Sequence, residues 1–228
     1  MGIYYTKKIF GFILLLISIS LKAQSNFSGL GETGLTFNKS FSENYKANFS
    51  LKSRYFLYQD ASFSYDTRQL DLAHFSTFKI GFNYSASLGF QYRERSVIDN
   101  GPDEIRLTQQ VNYKSNIATL RVGHRFRLEE RFFEKLTVFR LRYRLAIDRP
   151  LQGQKLDTGE GYLIGTAETV SSFGQNINTT HDIRFSALLG WQISKTTKLQ
   201  GGLEYRMEAY NVQSQHVLFL LTSAIIQL

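Results

Sequence analysis

Apolar and polar side chains alternate with a period of two along most of this chain. The stretch FRLRYRLAI, residues 139–147, sets Arg140, Arg142 and Arg144 between Phe139, Leu141, Tyr143 and Leu145. Successive side chains of an extended strand point to opposite faces, so here one face is apolar and the other cationic. The same rule puts Tyr45, Ala47, Phe49, Leu51 and Tyr55 opposite Lys46, Asn48, Ser50, Lys52 and Arg54. It puts Phe82, Tyr84, Ala86, Leu88, Phe90 and Tyr92 opposite Asn83, Ser85, Ser87, Gln91, Arg93 and Arg95. Segments 119–127, 184–193 and 198–208 repeat it, with His124 on the apolar side. Weaker versions occupy 26–38, 69–78, 105–114, 161–171 and 216–228. No comparable run has helical spacing. LEERFFEKL, residues 128–136, has a helix-favouring composition and is read as a strand end and turn.

Eleven candidate strands follow, several longer than the five or six residues usual in globular sheets. Lengths near ten suit a tilted strand crossing a bilayer. Connections at 41–44, 79–81, 115–118 and 195–197 read as short turns. Those at 59–68, 96–104 and 173–180 read as longer polar loops. Bacterial single-chain barrels carry an even number of strands. The expectation is therefore an all-β, antiparallel up-and-down transmembrane barrel of about 12 strands, with 10 as the alternative. The segment 148–160 and the N-terminal region are where a strand could be miscounted.

The N-terminus changes the picture by supplying an address. Lys7 and Lys8 precede the apolar run Ile9–Leu21, and Lys22, Ala23 and Gln24 follow. This is the layout of a secretory signal peptide, and the run is too short for a confident spanning helix. Residues 1–23 are assigned to that signal and 24–228 to one barrel domain. No cysteine occurs among the 228 residues, so neither a disulfide scaffold nor a lipidated N-terminal cysteine applies. Only two prolines interrupt the ladders.

A secreted soluble sandwich also tolerates alternation, so the character of the faces decides. Tyr45, Tyr55, Tyr92, Tyr143 and Tyr205 recur near strand ends, where rings favour a membrane–water boundary. In lipid every backbone group must be paired, which strands achieve only by closing. The terminal HVLFLLTSAIIQL, residues 216–228, ends on an apolar residue inside a strand. It resembles the C-terminal signal read by the barrel-assembly machinery, although Leu228 replaces the usual aromatic.

GHRFRLEERFF (123–133), FRLRYRLAI (139–147), Glu168 after an extended run, and KLQGGLEYR (198–206) together resemble the "domain of unknown function 2490" family. That resemblance covers most of the chain after residue 23. It implies an outer-membrane barrel of the Bacteroidota, a location rather than an activity. The 148–160 connection is longer than the family pattern.

Candidate chemistry is sparse. GLGETG (29–34) satisfies G-x-G-x-x-G, but no helix follows to form a dinucleotide site. His74 and Ser76 fall on one face of a strand and are similar to the His-x-Ser element of outer-membrane phospholipases. That family's asparagine position is Ala86 here, and Asn83 requires another register. Lipid hydrolysis by His74 and Ser76 stays as an alternative, as does a secreted soluble β-sandwich that binds a ligand. His124, His181 and His216 stand alone, so no metal site is expected. Arginine–aromatic mixing could mark a nucleic-acid binder, but export and strict face separation oppose that.

The charged faces are assigned to a polar lumen: Arg93, Arg121, Arg125, Arg127, Arg140, Arg142, Arg144, Glu168, Arg184, Glu204, Arg206 and Glu208. Arginine's fork suits bidentate carboxylate pairing, and buried charge must be paired. The expected role is structural or that of a narrow pore, with no catalysis and no cofactor. The expected partners are outer-membrane lipid, the barrel-assembly machinery and a small anionic solute.

Overall fold

The computed structural model describes residues 26–117 and 119–228. The signal peptide assigned to 1–23 lies outside them. Eleven strands form one closed barrel: β1 Phe27–Ser40, β2 Tyr45–Gln59, β3 Ser62–Lys79, β4 Tyr84–Glu94, β5 Glu104–Ile117 and β6 Leu120–Phe132. They continue with β7 Thr137–Pro150, β8 Gly161–Gly174, β9 Thr180–Gln192, β10 Thr197–Glu208 and β11 Gln215–Gln227. A single turn of helix, α1 Ser96–Asp99, sits between β4 and β5. Each strand pairs antiparallel with its sequence neighbours, and β1 closes the sheet on β11 in parallel, from Phe27↔His216 to Asn38↔Gln227.

The strand count corrects the expectation of twelve or ten. An odd count leaves the first and last strands pointing the same way, so their pairing has to be parallel. Asn26 and Leu228 consequently lie at opposite ends of the barrel. The eleven alternating segments read from the sequence correspond one to one with the eleven strands. The evenness rule, applied on top of them, introduced the error.

The connection expected at 59–68 is a second correction. Most of it is strand: β2 runs to Gln59 and β3 starts at Ser62. The two residues between them, Asp60 and Ala61, both have left-handed φ, 51° and 61°. Two such residues give the primed turn whose twist matches a hairpin. Residues 62–68 are polar enough to resemble a loop but pair with β2 as an extended ladder. The segment 128–136 is a strand end followed by a turn, since β6 stops at Phe132 and β7 begins at Thr137.

Period-two alternation sorts the side chains onto two surfaces. Leu51, Leu72, Leu88, Phe90, Leu107, Phe126, Leu141, Phe185, Trp191 and Leu203 are exposed on the exterior. Glu104, Arg106, Glu129, Asp182, Arg184 and Arg206 are buried inside. This is a barrel turned inside out relative to a soluble domain, with charge at its centre and an apolar coat. Gly89 and Gly190 lie directly beneath the rings of Phe75 and Tyr162, which fold over them inside the barrel. A Cβ at either position would run into the ring, so glycine is what lets an aromatic lie flat against the inner wall.

A candidate functional site in the arginine-lined lumen

Eight strands already give a barrel interior that side chains nearly fill. Eleven leave a cavity of about 880 Å³. Its lining reaches from Arg95, Thr180 and Gln215 near one end to Thr36, Asp148 and Ile164 near the other.

One connected ion-pair network runs across seven consecutive strands. Arg93 on β4 donates to Asp71 on β3 at 2.7 Å and reaches Glu104 on β5 at 3.2 Å. Glu104 also accepts from Arg106 at 2.6 Å and from Arg131 on β6 at 2.7 Å. Arg106 extends to Glu129 on β6 at 3.5 Å, and Glu129 takes Arg127 at 3.3 Å and Arg142 on β7 at 2.8 Å. Arg142 bridges onward to Glu168 on β8 at 2.6 Å. Arg184 on β9 completes the chain, 3.7 Å from Glu168 and 2.9 Å from Asp182. Glu129 is 0% exposed; its Oε1 is held by these guanidinium groups, whereas its Oε2 is buried with no hydrogen-bond partner among the described residues.

The other four strands meet differently. Phe219 on β11 is buried between the guanidinium of Arg206 on β10, 3.9 Å from the ring centroid, and that of Arg54 on β2, at 4.8 Å. Leu30 and Val217 pack with it, flanked by Phe56 and Leu221. Arg54 and Lys52 also pair with Glu32 on β1, at 2.6 and 2.9 Å.

Charge does not balance inside. Fourteen cationic side chains and seven carboxylates line the cavity. Glu104 and Glu129, buried in the wall behind, raise the carboxylates to nine, which leaves five positive charges in excess. Arg125, Arg140 and Arg144 have no carboxylate at ion-pair distance among the described residues. Arg125 donates to Asn112 Oδ1 at 2.9 Å and Arg140 to Ser172 Oγ at 3.0 Å. Arg144 has a buried Nε with no partner.

The model of a family described as "Protein of unknown function (DUF2490)" matches residues 33–216. The chain belongs to that family. A search of the curated proteins finds no match. Among solved structures, the chain is similar to a bacterial polysaccharide outer membrane secretin, with a TM-score of 0.53 and 10% identity. The match covers 78% of this chain and 73% of that one. It is also similar to LpxR from Salmonella typhimurium, with a TM-score of 0.51 and 9% identity, covering 80% and 83% of the two chains. At such identities the likeness concerns the fold: an outer-membrane-type β-barrel.

This family member places eleven of the twelve charged residues assigned to the lumen on the cavity lining: Arg93, Arg125, Arg127, Arg140, Arg142, Arg144, Glu168, Arg184, Glu204, Arg206 and Glu208. Arg121 instead sits at the barrel mouth, 60% exposed on its side chain and paired with Asp148. Of the carboxylates assigned there, only Glu168 joins the β3–β9 network. Glu204 and Glu208 pair with Arg206 on their own strand. Sequence reading missed Asp71, Glu104, Glu129 and Asp182, which carry most of the network. Glu129 belonged to the helix-like LEERFFEKL, which hid its lumen-facing phase. The phase itself was the available signal, because Glu129 follows Arg125 and Arg127 in strict alternation.

GLGETG lies within β1 as plain strand, so no phosphate-binding loop exists there. His74 and Ser76 do meet on the exterior face, with Nε2 and Oγ 3.0 Å apart. The Ser76 hydroxyl is also 3.1 Å from the Tyr45 hydroxyl, and the His74 ring packs on Phe49 with centroids 4.4 Å apart. The other imidazole nitrogen, Nδ1, is buried with no hydrogen-bond partner. A catalytic base requires a group there to fix its tautomer and orientation, and no side chain among the described residues supplies one. Among the described residues the arrangement is a His74–Ser76 pair without the third member of a triad.

Proposed function

We propose that the protein is an outer-membrane barrel whose narrow lumen favours small anions and performs no catalysis. The observation that carries this reading is the excess of positive charge on the cavity wall. In a confined, low-dielectric passage, fixed charges of one sign concentrate counter-ions and set selectivity. The apolar exterior supports a lipid environment, and the terminal strand β11 is the segment offered to the assembly machinery. Purified protein in a planar bilayer should conduct, and a salt gradient should give a reversal potential of the sign set by anion permeation. Cation selectivity would reject the reading.

The β3–β9 network supports a second reading, a structural barrel with a closed lumen. Ion pairs that span seven strands tie the wall together across the interior, as a barrel built for rigidity needs. Absence of any conductance from folded protein would favour it.

A further inference from the structure

Arg125 on β6 and Arg144 on β7 are directly opposed across the strand pair, and both side chains face the cavity. Like charges placed opposite one another destabilise a sheet. The nearest expected neutraliser, Glu168, faces Arg144 across β7 and β8 but is engaged by Arg142 and Arg184. Arg125 spends its Nε on the neutral Asn112, leaving its two terminal amino groups without a hydrogen-bond partner among the described residues. Arg144 contributes no ion pair among the described residues, and its Nε is buried and unpartnered. Arg127, the next lumen-facing residue, binds Gln110 Oε1 with two nitrogens, at 2.9 and 2.6 Å, and so is not available to either.

Two uncommitted guanidinium forks facing one cavity form a receptor for an anion with oxygens on more than one edge. We propose that Arg125 and Arg144 form a discrete binding site for a doubly charged oxyanion of the phosphate class. Each fork can hold two oxygens, and a dianion matches the pair's charge. The proposal deepens the anion-favouring reading by naming the stopping point and ligand class within that lumen.

The test separates binding from passage. Thermal unfolding of the detergent-folded barrel is followed with added inorganic phosphate, sulfate, acetate or chloride at equal ionic strength. Phosphate at about ten times its dissociation constant should raise the midpoint by roughly 3–6 °C. Arg125→Gln and Arg144→Gln should each reduce that shift at least severalfold, while Arg149→Gln, on the outer rim, should keep it. No shift with phosphate, or an equal shift in all variants, would overturn the site. An equal response to acetate would overturn the dianion assignment. Because Arg144→Gln also removes a repulsion, a variant with a higher starting midpoint and no phosphate response counts as support. A phosphate shift in a barrel that conducts nothing would keep the site and remove the passage.

Discussion

The two parts of the barrel wall close their interiors by different physics. From β3 to β9 the inner surface is held by carboxylates, of which Glu104, Glu129 and Glu168 each serve two or more guanidinium groups. Around the β1–β11 seam it is held by Phe219, Leu30 and Val217, with Arg54 and Arg206 stacked on the ring as well as paired to Glu32 and Glu204. In the first region removing Glu104 or Glu129 leaves three guanidinium groups short of a partner. In the second it removes apolar contact and leaves the flanking arginines with Glu32 or Glu204. A charged wall is therefore brittle toward single substitutions, and an apolar seam yields gradually.

The largest effect should come from Glu129→Gln. It leaves Arg106, Arg127 and Arg142 short of a buried partner, and breaking such a centre costs roughly 3–5 kcal/mol. Denaturant unfolding in lipid should show it, whereas Glu32→Gln should cost clearly less, since Lys52 is 45% exposed and Arg54 keeps its place on Phe219. Equal losses at both positions would erase the distinction between the regions.

Leu141→Arg probes the two faces of a single strand. Leu141 is 51% exposed on the exterior, and a charge on the lipid face costs roughly 2–4 kcal/mol near the bilayer middle. Folded yield in vesicles should fall accordingly. Arg144→Leu should fold at least as well as wild type, because it removes a like-charge pair without orphaning a carboxylate. Arg142→Leu should not, since Glu129 and Glu168 both depend on that side chain.

Phe219→Leu sharpens the seam. The ring is 1% exposed, and a volume-reducing but apolar replacement should cost about 1–1.5 kcal/mol, read by the same unfolding assay. A loss as large as that of Glu129→Gln would mean that the stacked arginines need the ring as strongly as their counterparts need carboxylates.

The smallest effect concerns a half-buried carboxylate at the rim. Asp103 accepts backbone N–H groups of Arg95 and Ser96, each at 2.8 Å, and these bonds hold its carboxyl below the ordinary aspartate value near 3.8. A depressed pKa gives stability present above the unfolded value and lost as pH falls through the folded one. Protection of the Ser96 amide in hydrogen exchange should therefore persist at pH 5 and disappear only below about 3.8. Asp103→Asn should flatten that dependence without touching global unfolding.

Local alternation is a property of the chain itself, so the eleven strands and their two faces were legible from FRLRYRLAI and its counterparts. A one-residue change of phase would turn every exterior Leu or Phe inward, so the pattern fixes the facing strongly. What the sequence did not determine is how the ends meet. Parallel closure of β1 on β11 joins residues such as Phe27 and His216 that no short-range rule connects. The choice among carboxylates was likewise decided by tertiary structure. Glu168 faces Arg144 in register, yet Arg142 and Arg184 hold it. Long, flexible arginine side chains reach across strands, and the lowest-energy assignment of several cations to few acids depends on the curvature of the closed wall. Sequence determines which residues face the lumen, and closure determines which of the arginines find a carboxylate.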